Sequence, residues 1–382
     1  MIYLDNCATT KPDAEVIEVM MKALQDDFAN PSSLHSFGHK VEKEIEKARQ
    51  CAAKLIGANN DEIYFTSGGT ESNNIAIHGE IIKNKRKGNK IITTSIEHAS
   101  ILDQFKYYKD QGLEVVFLDV DKYGNVDEEK YKKELDENTI LVSLIYVHNE
   151  LGTINNVKKL IKIAKNVNKD IFCHVDAVQA VGKINIDVKD IGADTLSFSS
   201  HKIYGPKGVG ALYKKNEVKL DSLVIGGGQE KNLRSGTENV PGILGFGKAC
   251  DLTYRDLKDR LSKAKRLKSH LLKNLEISLD DYRINSPKNS SDFILSLSIL
   301  DTRAEVLLHY LEQDEIYIST ASACSSNGTH KSSTLAQIGL DNRHSEGTIR
   351  ICLSKDTTEE ELDIFVKKLV KYTTEIRKIM RR

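Results

Sequence analysis

The sequence contains no tryptophan, no surplus of either charge and no long apolar run. Lys and Arg number 55, Asp and Glu 55, and the formal net charge is zero. That balance argues against broad non-specific nucleic-acid binding, which needs a surplus of cations. The basic end Arg377–Arg382 reads as a solvated helix end rather than a binding patch. No apolar stretch approaches a bilayer span, so no membrane partner is expected. Met1-Ile-Tyr-Leu-Asp5 lacks a basic region followed by an apolar one, so no signal peptide is expected either. The six cysteines (Cys7, Cys51, Cys173, Cys250, Cys324 and Cys352) include no Cys-x-x-Cys pair. Neither a structural zinc site nor a disulfide framework is expected, and a reduced, cytoplasmic setting follows. Repeats and low-complexity linkers are also missing. What is present is 382 residues, 40% of them hydrophobic, enough for one large domain or two ordinary ones.

Local patterns alternate between the two periods. After an extended arm over 1–12, Val16, Ile17, Met20, Met21 and Leu24 recur at helical spacing, with Pro12 near the start. Val41, Ile45, Ala48, Ala52 and Leu55 line a second helix that Gly57 ends. Short apolar strands follow at Ile63–Thr66, Ile91–Thr94 and Glu114–Leu118, with helices between them. Thr139–Val147 is nearly continuous in apolar character, as in a strand buried on both faces. Ile171–Val175 and Thr195–Phe198 repeat the type, and Val209–Tyr213 suits an antiparallel return. This alternation predicts an α/β fold with a mostly parallel, doubly wound sheet and sites at the C-terminal strand ends. Beyond Gly228 the pattern predicts a long helix over 241–275, a strand at Phe293–Ile299, a helix at Ala304–Glu312 and a terminal helix from Glu359.

Polar clusters sit at the predicted strand ends, and each has two readings. Ser67-Gly-Gly-Thr-Glu71 suits a phosphate at a helix start, without being a Walker loop; it also suits a helix capped by Ser67 or Thr70. His98 is either a cap-region histidine or a ring stacked on an aromatic cofactor. Asn149 is either part of a polar turn or a ligand of cofactor or substrate. Asp176, ending a buried strand, needs a cationic partner such as a protonated pyridine nitrogen; as a helix cap it would form a capping box with Gln179. Ser199-Ser-His-Lys202 follows the next strand and places one lysine there, suited to a Schiff base with pyridoxal phosphate.

Together these segments resemble fold-type-I pyridoxal-phosphate enzymes, and more finely the cysteine desulfurases of the NifS/IscS family in the class V aminotransferase group. The resemblance is carried in order over essentially the whole chain. Its segments are Tyr3-Leu-Asp-Asn-Cys-Ala-Thr-Thr10, Asn30-Pro-Ser-Ser-Leu-His35, Thr66-Ser-Gly-Gly-Thr-Glu-Ser-Asn-Asn74, Glu97-His98, Asn149-Glu-Leu-Gly152, His174-Val-Asp-Ala-Val-Gln179, Ser199-Ser-His-Lys-Ile-Tyr-Gly-Pro-Lys-Gly208, Gly226-Gly-Gly-Gln-Glu230, Arg234-Ser-Gly-Thr-Glu-Asn239, Ser322-Ala-Cys-Ser325 and Arg350-Ile351.

The resemblance implies a large cofactor-binding domain over 13–250 and a smaller α+β domain of 1–12 with 251–382. By similarity Lys202 is the lysine that holds the cofactor and moves protons, while Lys207 is structural. His98 stacks on the ring, Asp176 pairs with its nitrogen and Gln179 contacts its hydroxyl oxygen. Gly69, Thr70, Ser199 and His201 cradle the phosphate, joined by Thr237 from the other subunit, so a homodimer is implied. Asn149 and Arg350 bind the carboxylate of L-cysteine; a guanidinium suits that role because its planar fork bonds a carboxylate bidentately. Cys324 is the nucleophile that takes the sulfur as a persulfide, leaving L-alanine. It stands in a small, polar stretch, Ser319–Ser333, expected to be a mobile loop. Cys51, Cys173 and Cys250 read as inert, Cys352 as strand packing, and Cys7 stands where the family more often has Asn or Ser. Ser325–Thr334 resembles desulfurases that serve tRNA thiolation, leaving the acceptor open between a tRNA-thiolating enzyme and an iron–sulfur scaffold protein. A selenocysteine lyase or other class V enzyme, and a non-catalytic sulfur-carrier scaffold, are the alternatives.

Overall fold

The computed structural model describes residues 1–320 and 333–380. Its strands are β1 (Ile2–Tyr3), β2 (Ile63–Thr66), β3 (Lys90–Thr94), β4 (Glu114–Leu118), β5 (Thr139–Ile145), β6 (Phe172–Asp176), β7 (Thr195–Ser199), β8 (Gly210–Lys214), β9 (Tyr282–Ile284), β10 (Ile294–Ile299), β11 (Ile316–Tyr317), β12 (Ser319–Thr320) and β13 (Thr348–Cys352). Seven of them form one sheet in the order β2-β8-β7-β6-β5-β3-β4. Strands β3 to β7 pair parallel, and β8 runs antiparallel to both its neighbours. The C-terminal ends of β2, β3, β5, β6 and β7 therefore share one edge. Every residue of β5, β6 and β7 is buried, as expected for strands covered by helices on both faces.

The remaining elements build a second layer. Strands β12-β13-β10-β9 form an antiparallel sheet, and β1 pairs with β11 in parallel, so the N-terminal arm joins this region. Leu295, Leu297, Ile349 and Ile351 of this sheet pack with Leu362, Phe365 and Leu369 of the terminal helix Glu359–Met380 in a core of their own. A single helix, Val240–Ser278, serves both cores. Asn239 caps it by accepting from Gly242 N at 3.2 Å, and Pro241 sits in its first turn. Ala249, Leu252 and Ala264 pack in the first core, and Leu267, Leu271 and Leu275 in the second.

Most elements fall where the sequence places them, with informative differences. Strand β5 stops at Ile145, where Asn155 takes the next two carbonyls, Ile145 O from Nδ2 at 3.0 Å and Tyr146 O from its backbone N at 2.9 Å, leaving Val147 only an isolated bridge with Ile154. The first helix, Ala14–Asp26, forms, yet Ile17, Met21 and Leu24 stay exposed while Val16 and Ala23 are buried. The stretch expected as a loop from Ser319 begins as strand β12, and residues 321–332 lie outside the described set. Arg377 is not simply solvated: it donates to Leu300 O and Asp281 O, each at 3.0 Å. No helix among the described residues is long and apolar enough to cross a membrane.

Candidate active site

The shared strand edge faces β13 and the N-terminal arm across a cavity of about 560 Å³. Asp176, Asn149, Ser199, His201 and Lys202 line one wall, the start of helix Gly69–Asn84 another, and Asp5, Cys7 and Arg350 the far side.

Asp176 ends β6 with its carboxylate buried. Oδ1 accepts from Val178 N at 2.9 Å, and Oδ2 from Asn73 Nδ2 at 2.9 Å. The turn after Asp176 is therefore capped as the bland reading requires, but no capping box forms, because the Gln179 amide goes elsewhere. Asn73 Oδ1 accepts from His174 Nε2 at 3.0 Å, so His174 Nδ1 is left to accept from Thr195 Oγ1 at 2.8 Å. Burial pushes His174 down to about 3, which keeps the ring neutral. The second Asn73 Nδ2 proton goes to Ser100 Oγ at 2.9 Å. His98 Nδ1 accepts from Ser100 N at 3.1 Å and stands 2.9 Å from Ser100 Oγ, so the ring proton sits on Nε2. His98 is thus a helix cap and a cavity wall at once. Glu97 beside it is pushed up to about 8 by burial, although Ile145 N and Thr94 Oγ1 donate to it.

Lys202 follows β7 in a single 3-10 turn, Ser200–Lys202. Its Nζ donates to Cys7 O at 2.6 Å and Ala8 O at 2.7 Å. Burial, then the charge of Lys183, push its amine down to about 8. Lys183 is itself buried and lowered by desolvation, with Nζ bonded to Gln179 Oε1 at 2.9 Å. Gln179 Nε2 in turn donates to Cys7 O at 2.9 Å. The arm is clamped over this turn: Thr10 N and Oγ1 both donate to His201 O, and Tyr204 N donates to Thr10 Oγ1 at 2.8 Å. That grip holds Tyr204 at φ 68, a conformation side chains other than glycine rarely adopt. Lys207 is exposed and does not line the cavity.

Gly68, not Ser67 or Thr70, occupies the N-cap of helix Gly69–Asn84, and no side chain caps it. Its first-turn amide groups are left for a ligand. A Cβ on Gly69 would lie 2.5 Å from Val178 Cγ2, so that position admits no larger residue without a shift. Across the cavity, Arg350 NH2 donates to Asp5 Oδ1 at 2.8 Å and NH1 to Asn149 O at 3.2 Å. Its Nε is buried without a hydrogen-bond partner among the described residues. Burial disfavours the Arg350 cation, but Cys352, Cys7 and Asp5 outweigh that and hold it charged.

Of the residues expected at the site, Gly69, Thr70, His98, Asn149, Asp176, Gln179, Ser199, His201, Lys202 and Arg350 come together at this cavity. Thr237 is exposed and does not line it, and Cys324 lies outside the described residues. Asn73, Asp5 and Lys183 belong to the site without having been singled out, and Cys7, noted in the sequence only as a departure from the family pattern, lines the cavity too. Asn73 had a readable signal: it stands four residues after Gly69, on the same helix face.

The residues present fit pyridoxal phosphate. A buried carboxylate keeps lone-pair capacity for a ring N–H, a desolvated lysine amine faces the same space, and an uncapped helix start with Gly69 and Thr70 suits a phosphate. The family model for class-V aminotransferases matches residues 2–365. A cysteine desulfurase IscS of Clostridium botulinum (strain Hall) is 42% identical over 373 residues, 97% of this chain and 94% of that protein. One of Dictyoglomus turgidum is 41% identical over 99% of this chain and 96% of its own. Among solved structures, a NifS-like protein superposes with a TM-score of 0.92 at 38% identity, covering 98% of this chain and 99% of that one. SspA in complex with cysteine gives 0.81 at 32% identity, covering 94% and 100%. With its mixed seven-stranded sheet and its lysine at a strand end, the chain belongs to the class-V aminotransferase family, among the pyridoxal-phosphate-dependent cysteine desulfurases of the NifS/IscS type.

Proposed function

We propose that the protein takes sulfur from free L-cysteine, releases L-alanine and holds the sulfur as a persulfide on Cys324. The observation that carries this reading is the pairing, across one cavity, of a desolvated lysine amine with a buried carboxylate on one wall and a charged arginine on the other. Bound pyridoxal phosphate supplies an electron sink for charge at the substrate's α-carbon. The chain's own groups do the rest. Asp176 holds the ring nitrogen's proton, with Asn73 fixing its carboxylate; His98 covers the ring face; Gly69, Thr70, Ser199 and His201 take the phosphate. Arg350 and Asn149 orient the substrate carboxylate, and Lys202 moves the proton at the α-carbon. The Cys324 thiolate attacks the substrate sulfur, the carbon–sulfur bond breaks, and the carbon skeleton is protonated to alanine.

The decisive assay is sulfide and alanine from L-cysteine under reducing conditions. Cys324→Ala is expected to keep the cofactor's visible absorption and lose sulfide release; unchanged sulfide release from that variant sinks the mechanism.

The homodimer belongs to the same proposal, with Thr237 of the partner subunit completing the phosphate cradle. Thr237 lies off its own cavity, and Ile17, Met21, Leu24, Phe28 and Leu34 are exposed on the free chain, Phe28 at 73% and Leu34 at 105%. Contiguous apolar exposure of that kind marks an interface. We read the chain as two units, 13–250 and 1–12 with 251–382, on the support of its two large cores, although along the shared helix the cores change over later, between Ala264 and Leu267. A cytoplasmic setting and a protein sulfur acceptor, either a tRNA-thiolating enzyme or an iron–sulfur scaffold, complete the reading.

A further inference from the structure

Two cysteines outside the reaction just described meet at the cavity wall. We propose that Cys7 and Cys352 form an oxidation site, in which a hydroperoxide admitted to the cavity oxidises Cys7 and Cys352 then closes a disulfide onto it.

The backbone brings them together. Asp5 and Cys352 form an isolated parallel bridge, Cys352 N donates to Leu4 O at 2.7 Å, and Asn6 Nδ2 donates to Cys352 O at 2.9 Å. The arm is thus bonded to residue 352 on both sides. The turn closed by Ala8 N to Asp5 O at 3.0 Å holds Cys7 beside that contact, and both cysteines pack in the same buried core. Their surroundings differ. Both are buried, Cys7 at 2% and Cys352 at 0% exposure, but Cys7 borders the cavity and Cys352, at the end of β13, does not. The charged and titratable groups around the pair are Lys183 and Lys202 from the large-sheet side, Arg350 from β13, and Tyr3 and Asp5 from the arm. Burial pushes the Cys7 thiol up, but its bond with Cys352 and the three cations outweigh burial and bring it to about 6. Cys352 is pushed well up, by burial first and then by Cys7. A low-pKa thiolate reached from a cavity, next to a resolving thiol, has the character of an oxidant-sensing pair.

The chemistry balances. The Cys7 sulfur attacks one peroxide oxygen, the O–O bond breaks, and the departing oxygen leaves as water or alcohol. Cys352 sulfur then attacks the Cys7 sulfenic sulfur and displaces hydroxide, which takes the Cys352 proton. Two thiols lose two electrons and the peroxide gains them. The bond would be felt at the cofactor lysine, because the Cys7 carbonyl accepts from both Lys202 and Gln179. That last consequence rests on the cofactor reading above; the disulfide itself does not.

The test uses full-length Cys324→Ala protein, which removes the reactive thiol that would compete, with and without pyridoxal phosphate. It is treated with hydrogen peroxide and mapped by non-reducing peptide mass analysis. The expected result is a linked Cys7–Cys352 peptide pair, reversed by dithiothreitol, with Cys7 lost roughly tenfold faster than half-exposed Cys51. Recovery of Cys7 and Cys352 as free thiols while Cys51 is oxidised would overturn the proposal. So would Cys7 passing to sulfinic acid without the link. In a Cys352→Ser background a sulfenic-acid trap is expected to label residue 7; labelling of Cys352 in Cys7→Ser protein at the wild-type rate reverses the assigned order and rejects it. An altered visible band in the crosslinked holoprotein, restored by reduction, supports the coupling to Lys202, and an unchanged band removes that part alone.

Discussion

Lys202 carries a positive charge only reluctantly. Its amine is buried beside Lys183, and its two hydrogen bonds go to neutral carbonyls rather than to a carboxylate. With a pKa near 8 against an ordinary 10.5, the folded lysine is unprotonated over a range where the unfolded one is charged. Stability therefore rises with pH across that window, and the burden is fully present below pH 8. Lys202→Met is expected to stabilise the cofactor-free protein at pH 7 by roughly 2–3 kcal/mol, read as a higher melting temperature. The free amine is also the form that captures the cofactor. Capture by apoprotein should accelerate between pH 7 and 9; acceleration only above pH 10 would refute the assignment. Asp5 has its own test. Its bond fixes the Arg350 fork, so Asp5→Asn is expected to raise KM for cysteine about tenfold with a smaller change in kcat. Placement at the cavity was readable where a polar residue ends or closely follows a buried strand, as with Asp176 and Lys202. Asp5 and Asn73 act through partners 345 and 103 positions away (Arg350 and Asp176), and local spacing carries no sign of such pairings.

At the level of elements, the phosphate-side turn depends on close backbone approach. A Cβ on Gly210, at the start of β8, would lie 2.8 Å from Gly68 Cα and 2.8 Å from Phe198 O. No side chain can yield there, because both obstacles are backbone. Gly210→Ala is expected to cost about 1–3 kcal/mol and to weaken cofactor retention, since Gly68 opens the helix that faces the cavity. Thermal melting with and without pyridoxal phosphate checks both. Element positions were legible because β2 to β8 are short apolar runs with polar ends, and period and composition agree there. The first helix was legible as a helix but not as to its buried face. Its apolar residues spread around more than one side, so spacing alone could not say that Ile17, Met21 and Leu24 would remain uncovered.

For the whole molecule, that uncovered face sets a further expectation. On the dimer proposed above, Met21→Glu with Leu24→Glu should convert it to monomers in sedimentation and lower cofactor affinity, because the proposed cradle would then lack Thr237 of the partner subunit. A protein that stays dimeric with these charges places the interface elsewhere. The two cores were harder to read from the sequence. The second draws on residues as far apart as Ile2 and Ile376, and its boundary falls inside an uninterrupted helix rather than at a linker. That helix has 39 residues, about 58 Å at the usual rise, and it begins in one core and ends in the other. Melting either core strips one half of the helix of its packing and leaves the other half frayed at its middle. The two regions are therefore expected to unfold as a single cooperative unit. Calorimetry should record one endotherm, and a Gly-Gly insertion after Lys258 should split it into two.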